Sequence, residues 1–252
     1  MKLTGNIIFI TGGGSGIGRG LAEAFHALGN QVIISGRRLS VLETVCMANP
    51  GMQCIVFNAD DRQDIKRIAQ HLAAKAPGVN VLINNAGIQR PENLLNQQED
   101  LADAESTITT NLLGPIRITA ALLPLLIKQS RSAILNVTSG LAFLPMSGVP
   151  TYCATKAAMH SYTMSLRQQL KSTNTEVIEL IPPYVQTELG PAHGADPMAM
   201  PLTAFISEVM QILQANPKVA EVVVEQCKSL RFASGGSPPR PAEISDSNPP
   251  PV

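Results

Sequence analysis

Residues 6–11 form a short apolar run, Asn-Ile-Ile-Phe-Ile-Thr, that stops against glycines at positions 12, 13, 14, 16 and 18. The run reads as a buried strand, and residues 15–28 read as a helix. A strand that turns into a helix this quickly needs backbone conformations that glycine alone adopts without strain. Gly12 permits the tight turn, Gly16 lets the backbone approach a ligand, and Gly18 lets the helix pack on the strand. The free N–H groups of such a turn, from Ser15 and Ile17 among others, lie at the positive end of a helix dipole and suit a pyrophosphate. The spacing is Gly-x-x-x-Gly-x-Gly, not Gly-x-Gly-x-x-Gly. Taken alone, the turn is therefore also compatible with a glycine-rich connection that holds no ligand.

The strand-then-helix rhythm repeats along the chain. Strands are expected over residues 31–35, 53–58, 79–84, 132–138, 176–181 and 219–225. Helices are expected over residues 39–48, 61–74, 152–171 and 203–215, with a further one between the fourth and fifth strands. Such alternation builds βαβ units with right-handed crossovers. The expected fold is α/β, a single doubly wound Rossmann-type parallel sheet of about seven strands with helices on both faces. The strands lack polar–apolar alternation, as they should when both faces are covered. One dinucleotide-binding and catalytic domain is expected over residues 1–233, followed by a disordered tail over 234–252, where glycine, serine and proline dominate. Residues 188–201, with Gly190, Pro191, Gly194, Pro197 and Pro201, break the rhythm and read as a long connection that acts as a lid.

Composition narrows the function classes. Nineteen basic and 19 acidic residues in 252 leave a formal net charge of +0, which argues against nucleic acid or an anionic membrane as a partner. No apolar run approaches the ~18 residues of a membrane span, and no basic stretch leads into an apolar leader. Cys46, Cys54, Cys153 and Cys227 are scattered without ligand spacing. A reduced, cytoplasmic protein with no metal site is the expectation, with Cys153 as a packing residue.

Tyr152 and Lys156 stand four residues apart, and Ser139 lies 13 residues before the tyrosine. On a helix the tyrosine and lysine project from one face. A phenol has a pKa of about 10, and a neighbouring ammonium lowers it toward neutrality, making a proton-transfer group. Ser139 follows a strand that runs to the same sheet end, so its hydroxyl is placed to hold a substrate oxygen. Asn111 is a fourth candidate, able to orient a lysine-bound water or equally to act as a packing group. The tip of the second strand reads Ser35-Gly36-Arg37-Arg38. An acidic residue there would favour NAD through the ribose hydroxyls. Arg37 instead suits a 2′-phosphate, unless it merely solvates the helix start, so NADP(H) is favoured with NAD(H) as the alternative. Asn58, ending the third strand, reads as an acceptor for an adenine amino group or as a turn former.

Taken together, Thr11-Gly-x-x-x-Gly-Ile-Gly18, Asn84-Asn-Ala-Gly87, Asn111, Ser139, Tyr152-x-x-x-Lys156 and Pro182-Pro-Tyr-Val-Gln-Thr187 resemble the short-chain dehydrogenase/reductase family in its compact single-domain branch. The resemblance covers residues 1–225. It implies Tyr152 as the catalytic acid/base and Lys156 as the residue that binds the nicotinamide ribose and depresses the tyrosine pKa. Ser139 would orient the carbonyl and Asn111 would hold a relay water. Asn85 would lie near the ribose and nicotinamide, and Val185 and Thr187 would contact the carboxamide. The chain departs from the family in having Pro183 where glycine is usual, which removes an N–H, and in having Ser15 where NADP enzymes often carry a basic residue. The segment from Pro182 to Leu189 and the stretch Lys228-Ser-Leu-Arg-Phe-Ala233 are also similar to a bacterial subgroup of oxidoreductases linked by gene context to lipoteichoic-acid D-alanylation clusters.

Residues 140–146, Gly-Leu-Ala-Phe-Leu-Pro-Met, together with Leu189, Met198 and Met200, form an expected apolar substrate wall. The expected reaction is hydride transfer between NADP(H) and a neutral, fairly apolar carbonyl or secondary alcohol. The alternatives are a nucleotide-sensing regulatory protein without turnover and an NAD-assisted isomerase or epimerase. A homodimer or homotetramer is expected, with Met159, Tyr162, Thr163 and Leu166 as an outward apolar stripe or else as residues buried against the sheet.

Overall fold

The structure is a computed structural model that describes residues 1–93, 95, 101–189 and 196–233. The expected tail and residues 190–195 of the expected lid lie outside the described residues. Seven strands form one sheet: β1 (Ile7–Thr11), β2 (Gln31–Gly36), β3 (Gln53–Val56), β4 (Val81–Asn84), β5 (Ser132–Val137), β6 (Thr175–Ile181) and β7 (Glu221–Val223). They are parallel throughout, in the order β3-β2-β1-β4-β5-β6-β7. The chain moves outward from β1 to β3 and then returns to place β4 on the other side of β1. A crevice opens beyond the carboxyl ends of β1 and β4, where the direction of winding reverses.

The helices are α1 (Gly16–Ala27), α2 (Leu39–Ala48), α3 (Arg62–Lys75), α4 (Ala102–Ile108), α5 (Gly114–Leu126), α6 (Pro150–Gln169), α7 (Leu202–Ala215) and α8 (Glu225–Arg231). Alternate residues of each strand point to opposite faces of the sheet. Ile8, Ile10, Val32 and Ile34 meet Leu21 and Phe25 of α1, Leu42 of α2 and Phe205 and Val209 of α7 in one apolar cluster. Phe9, Ile33, Leu82 and Ile134 meet Ile68 and Leu72 of α3, Ile118 and Leu122 of α5 and Leu166 of α6 in another. Both faces are therefore covered, and the strands are apolar on both sides for that reason.

The expected elements are present with ends shifted by one or two residues in most cases. Two features were not foreseen. Helix α8 is too short for a periodic pattern to register. Between α4 and α5, Thr109–Leu113 forms a π-helical turn, a widening that has no propensity signature. The continuous stretch Ala102–Leu126 passes by length and composition alone for a membrane-crossing helix, although Asp103, Glu105 and Arg117 interrupt its apolar run. Here its Ile118, Leu122 and Leu126 close the α3 side of the core.

Of the two readings of the α6 stripe, burial against the sheet holds for Met159, Thr163 and Leu166, while Tyr162 is half-buried. Met159 is 2% exposed, Thr163 0% and Leu166 5%, because α6 lies against the sheet. Burying them there satisfies the apolar residues within the chain itself. Leu82 is fully buried in the central strand. Leu82→Ala is expected to lower stability by about 2–5 kcal/mol, read from urea denaturation monitored by far-ultraviolet circular dichroism.

Candidate active site

All strands run the same way, so the residues that follow them collect along one edge. A cleft of about 900 Å³ opens there. It is lined by the turn after β1, the tip of β2, the ends of β3 and β4, the start of α6 and the segments after β5 and β6.

The turn after β1 is held by exact-fit contacts rather than by a side-chain cap. Gly12 has φ +68° and Gly16 φ +52°, conformations that strain any residue with a Cβ. A Cβ on Gly18 would sit 2.3 Å from the Gly12 carbonyl and from Asn85 Nδ2. Gly18 thus packs α1 against the turn, whereas Gly12, Ser15, Gly16 and Ile17 line the cleft. Ser15 is the N-cap of α1 but makes no side-chain capping bond, and the first turn holds no acidic residue. The helix start therefore offers free N–H groups and a positive dipole end to an anion.

Asn85 ties β4 to that turn. Its Nδ2 donates to the carbonyls of Thr11 (3.0 Å) and Gly12 (3.1 Å). The Thr11 hydroxyl accepts from the backbone N–H groups of Asn85 and Ala86. Arg37 and Arg38 line the cleft at the tip of β2. Both are exposed, and neither pairs with another described residue. Asn58 also lines the cleft, but its Oδ1 accepts from Asp60 N at 3.2 Å, the turn role. The carboxylate beside it was missed in the sequence. Asp60 Oδ1 is buried without a hydrogen-bond partner on the cleft wall. Thr110 Oγ1 is in the same position. Orphaned polar atoms are costly, and a ligand donor such as a base N–H would satisfy Asp60. The glycine turn, the arginines and these orphans fit a dinucleotide.

At the other end of the cleft lie Ser139, Tyr152 and Lys156. Tyr152 is 6% exposed, Lys156 5% and Ser139 8%. The lysine Nζ donates to the Val137 carbonyl at 2.9 Å and lies 5.5 Å from the centre of the tyrosine ring. Burial pushes the Tyr152 phenol up to about 12, the neighbouring Ser139 hydroxyl pulls it back, and Cys153 adds a smaller rise. This direction is opposite to the one read from the sequence, because the apolar surroundings disfavour the phenolate more than neighbours stabilise it. Burial also lowers the Lys156 ammonium to about 8. Cys153 packs with Val149 and Tyr152, and its Sγ accepts from Met146 N.

Asn111 sits in the π-helical turn, 2% exposed, and the wall it belongs to is represented in the cleft by Thr110. Its side chain accepts from Ile88 N and donates to Ile88 O, each at 2.8 Å, with a longer contact to Thr155. It clamps the backbone after β4. Val185 and Thr187 line the cleft beyond β6, as do Pro182 and Pro183. Val185 pairs with Met200 in an isolated bridge. Of the expected apolar wall, Leu141, Met146 and Leu189 line the cleft. Phe143 instead meets His160 edge to face and lies under Arg231, Met200 packs on the core, and Met198 is 80% exposed. Leu230 of α8, Gln89 and Arg90 are unforeseen lining residues.

Beneath this end runs a buried polar network that has no sequence signature. The Thr138 hydroxyl donates to Glu179 Oε1 at 2.7 Å, and Glu179 Oε2 meets His160 Nδ1 at 2.8 Å. Glu221 receives Arg231 through two bonds of 2.8 and 3.0 Å. Ligand-capable atoms of His160, Glu179 and Glu221 lie within 4.8 Å of one another, and the cations placed against the two carboxylates are Arg231 and Arg167. Arg231 lies 4.3 Å from the Phe143 ring centre, so it braces the turn that Ser139 begins. Arg231→Ala would remove the two-bond partner of Glu221 and leave it facing only the more distant Arg167. It is expected to cost about 3–5 kcal/mol of stability, with Glu221→Ala adding little on top of it in a denaturation double-mutant cycle.

Residues 6–197 match the family described as short chain dehydrogenase. The uncharacterized oxidoreductase DltE of Bacillus subtilis is 42% identical over 189 residues, covering 75% of each chain. Among solved structures, a short chain dehydrogenase from Burkholderia cenocepacia in complex with NADP superposes with a TM-score of 0.79 at 24% identity, covering 93% of this chain and 94% of that one. A short chain dehydrogenase/reductase from Burkholderia phymatum in complex with NAD gives 0.80 at 18% identity, covering 93% and 95%.

Proposed function

The chain belongs to the short-chain dehydrogenase family, and on that premise we propose that it moves hydride between NADP(H) and a neutral, largely apolar carbonyl compound or the matching secondary alcohol. The observation that carries the reading is the meeting of Ser139, Tyr152 and Lys156 on one wall of the cleft whose far end holds the glycine turn. A bound nicotinamide dinucleotide supplies the hydride.

The chain's own residues handle the proton and the charge. In the reducing direction the Tyr152 phenol gives its proton to the carbonyl oxygen. With burial holding its pKa near 12, the phenol is fully protonated at neutral pH and ready to donate. The Ser139 hydroxyl, close enough to the phenol to lower its pKa, steadies the same oxygen. As the proton leaves, negative charge develops on the tyrosine, whose ring centre lies 5.5 Å from the lysine ammonium, in a poorly solvated site where Coulomb attraction is strong. Asn111 supports the wall by clamping Ile88.

The NADP(H) preference rests on Arg37 and Arg38, free and exposed on the cleft at the tip of β2, with no carboxylate at that tip. The neutral substrate class rests on Leu141, Met146, Leu189 and Leu230 around the Ser139–Tyr152 end. Arg90 is turned toward Asp103, 3.7 Å away.

Tyr152→Phe is expected to cut cofactor-linked turnover of neutral ketones by at least about 10²-fold while thermal stabilisation by NADP(H) persists. Equal activity in the variant sinks the proton-transfer assignment. The protonated lysine is the active form, so kcat/KM for reduction should be level below pH 8 and fall above it as Lys156 loses its proton, with Lys156→Arg moving that limb upward. NADP(H) should raise the melting temperature more than NAD(H) at equal concentration, and Arg37→Ala should narrow the gap. A larger shift with NAD(H) refutes the NADP preference, and faster turnover of keto acids than of neutral ketones refutes the substrate class.

A further inference from the structure

The segment after β4 carries a polar side chain that nothing in the reaction above uses. Gln89 is 9% exposed and lines the cleft, yet its amide makes no hydrogen bond with any other described residue. An amide offers two donors and an acceptor, and a ligand that covers this one without meeting them incurs the cost of its lost water. The backbone on either side is fixed. One residue before, Ile88 is clamped through both its N–H and its carbonyl by Asn111. Three residues after, Glu92 N donates to Gly148 O at 3.0 Å. The Glu92 carboxylate accepts from Thr151 N (3.0 Å) and Thr151 Oγ1 (2.7 Å). That carboxylate caps the first turn of α6, where the helix dipole favours negative charge. Thr151 immediately precedes Tyr152. Gln89 is therefore held on the cleft wall between two ties, one to the π-helical turn and one to the start of the helix that carries the tyrosine.

We propose that Gln89 is a specificity-determining residue that hydrogen-bonds a second oxygen of the substrate. Resting on the function proposed above, this narrows the substrate class from a plain ketone to a neutral carbonyl compound with an additional hydroxyl or carbonyl group. The reacting carbonyl engages Ser139 and Tyr152, the hydrocarbon part packs on Leu141, Met146 and Leu230, and the second oxygen meets the Gln89 amide. A site built to hydrogen-bond a substrate group rejects the analogue that lacks it, because the protein's own polar group is then left unmet.

The test compares a linear seven-carbon methyl ketone with its monohydroxy analogues, the hydroxyl placed at each successive carbon. Turnover with NADPH is one readout, and thermal stabilisation of the NADP(H)-loaded protein by each ketone is the other. The wild-type protein should favour at least one hydroxyketone over the plain ketone by on the order of tenfold or more. Gln89→Leu should remove that preference by lowering kcat/KM and stabilisation for the hydroxyketone alone, and Gln89→Met, which keeps the length of the side chain, should do the same. An unchanged preference in both variants overturns the role of Gln89 while leaving the proposed reaction standing. So does an equal loss for both ketones, or a wild-type protein with no preference in either readout. A preference in stabilisation that Gln89→Leu removes, in a protein that turns over none of the ketones, supports Gln89 and refutes the reaction.

Discussion

Between the turn that follows β1 and the segment that follows β4 there is no room for a side chain. Gly18 lies where a Cβ would meet the Gly12 carbonyl and the Asn85 amide at 2.3 Å, and a Cβ on Gly12 would meet the Ala86 backbone at 2.9 Å. The two segments are laced together by Asn85 and by the Thr11 hydroxyl. This close approach keeps the α1 amino end open toward the crevice and fixes where the chain leaves β4. Everything downstream on that side takes its position from there, including the Ile88 clamp and Gln89. The glycines are thus required as much by contact within the protein as by contact with a ligand.

The opposite wall depends on buried polar order. Asn84 donates to Thr119 and Asn136, and Asn136 donates to Thr163 of α6, so side-chain bonds run across β4 and β5 into the helix that carries Tyr152 and Lys156. Val137, Thr138 and Ser139 are consecutive, and each is tied to a different partner: the lysine, the Glu179 carboxylate and the Leu141 N–H. Such networks are worth little net stability when complete and cost much when broken. Their effect is geometric. They hold an ammonium in apolar surroundings that lower its pKa to about 8, and a phenol in surroundings that raise its pKa to about 12.

Much of the architecture was legible in the order of residues. Alternating apolar runs and helical periods specify a parallel sheet, and parallel strands bring every post-strand segment to one edge whatever the details. Gly12, Gly16, Ser139, Tyr152 and Lys156 could be placed together on that logic alone, since their elements all end or begin at the same edge. The inward face of α6 was not legible, because Met159, Thr163 and Leu166 suit a subunit interface and a domain core equally well. Nor was α8, whose Leu230 reaches the cleft and whose Arg231 braces Phe143. A helix of seven residues carries no period.

What the sequence settled by itself was a family and a fold, together with the gathering of candidate proton-transfer groups at one sheet edge, because local spacing and strand direction suffice for those. The sign of the Tyr152 shift, the engagement of Asn111 with Ile88, the orphaned Asp60 and Thr110 oxygens and the unpartnered Gln89 amide belonged to the tertiary structure alone. Each depends on which atoms surround a group in three dimensions. Desolvation and hydrogen-bond satisfaction are properties of that surrounding and are not written in spacing along the chain.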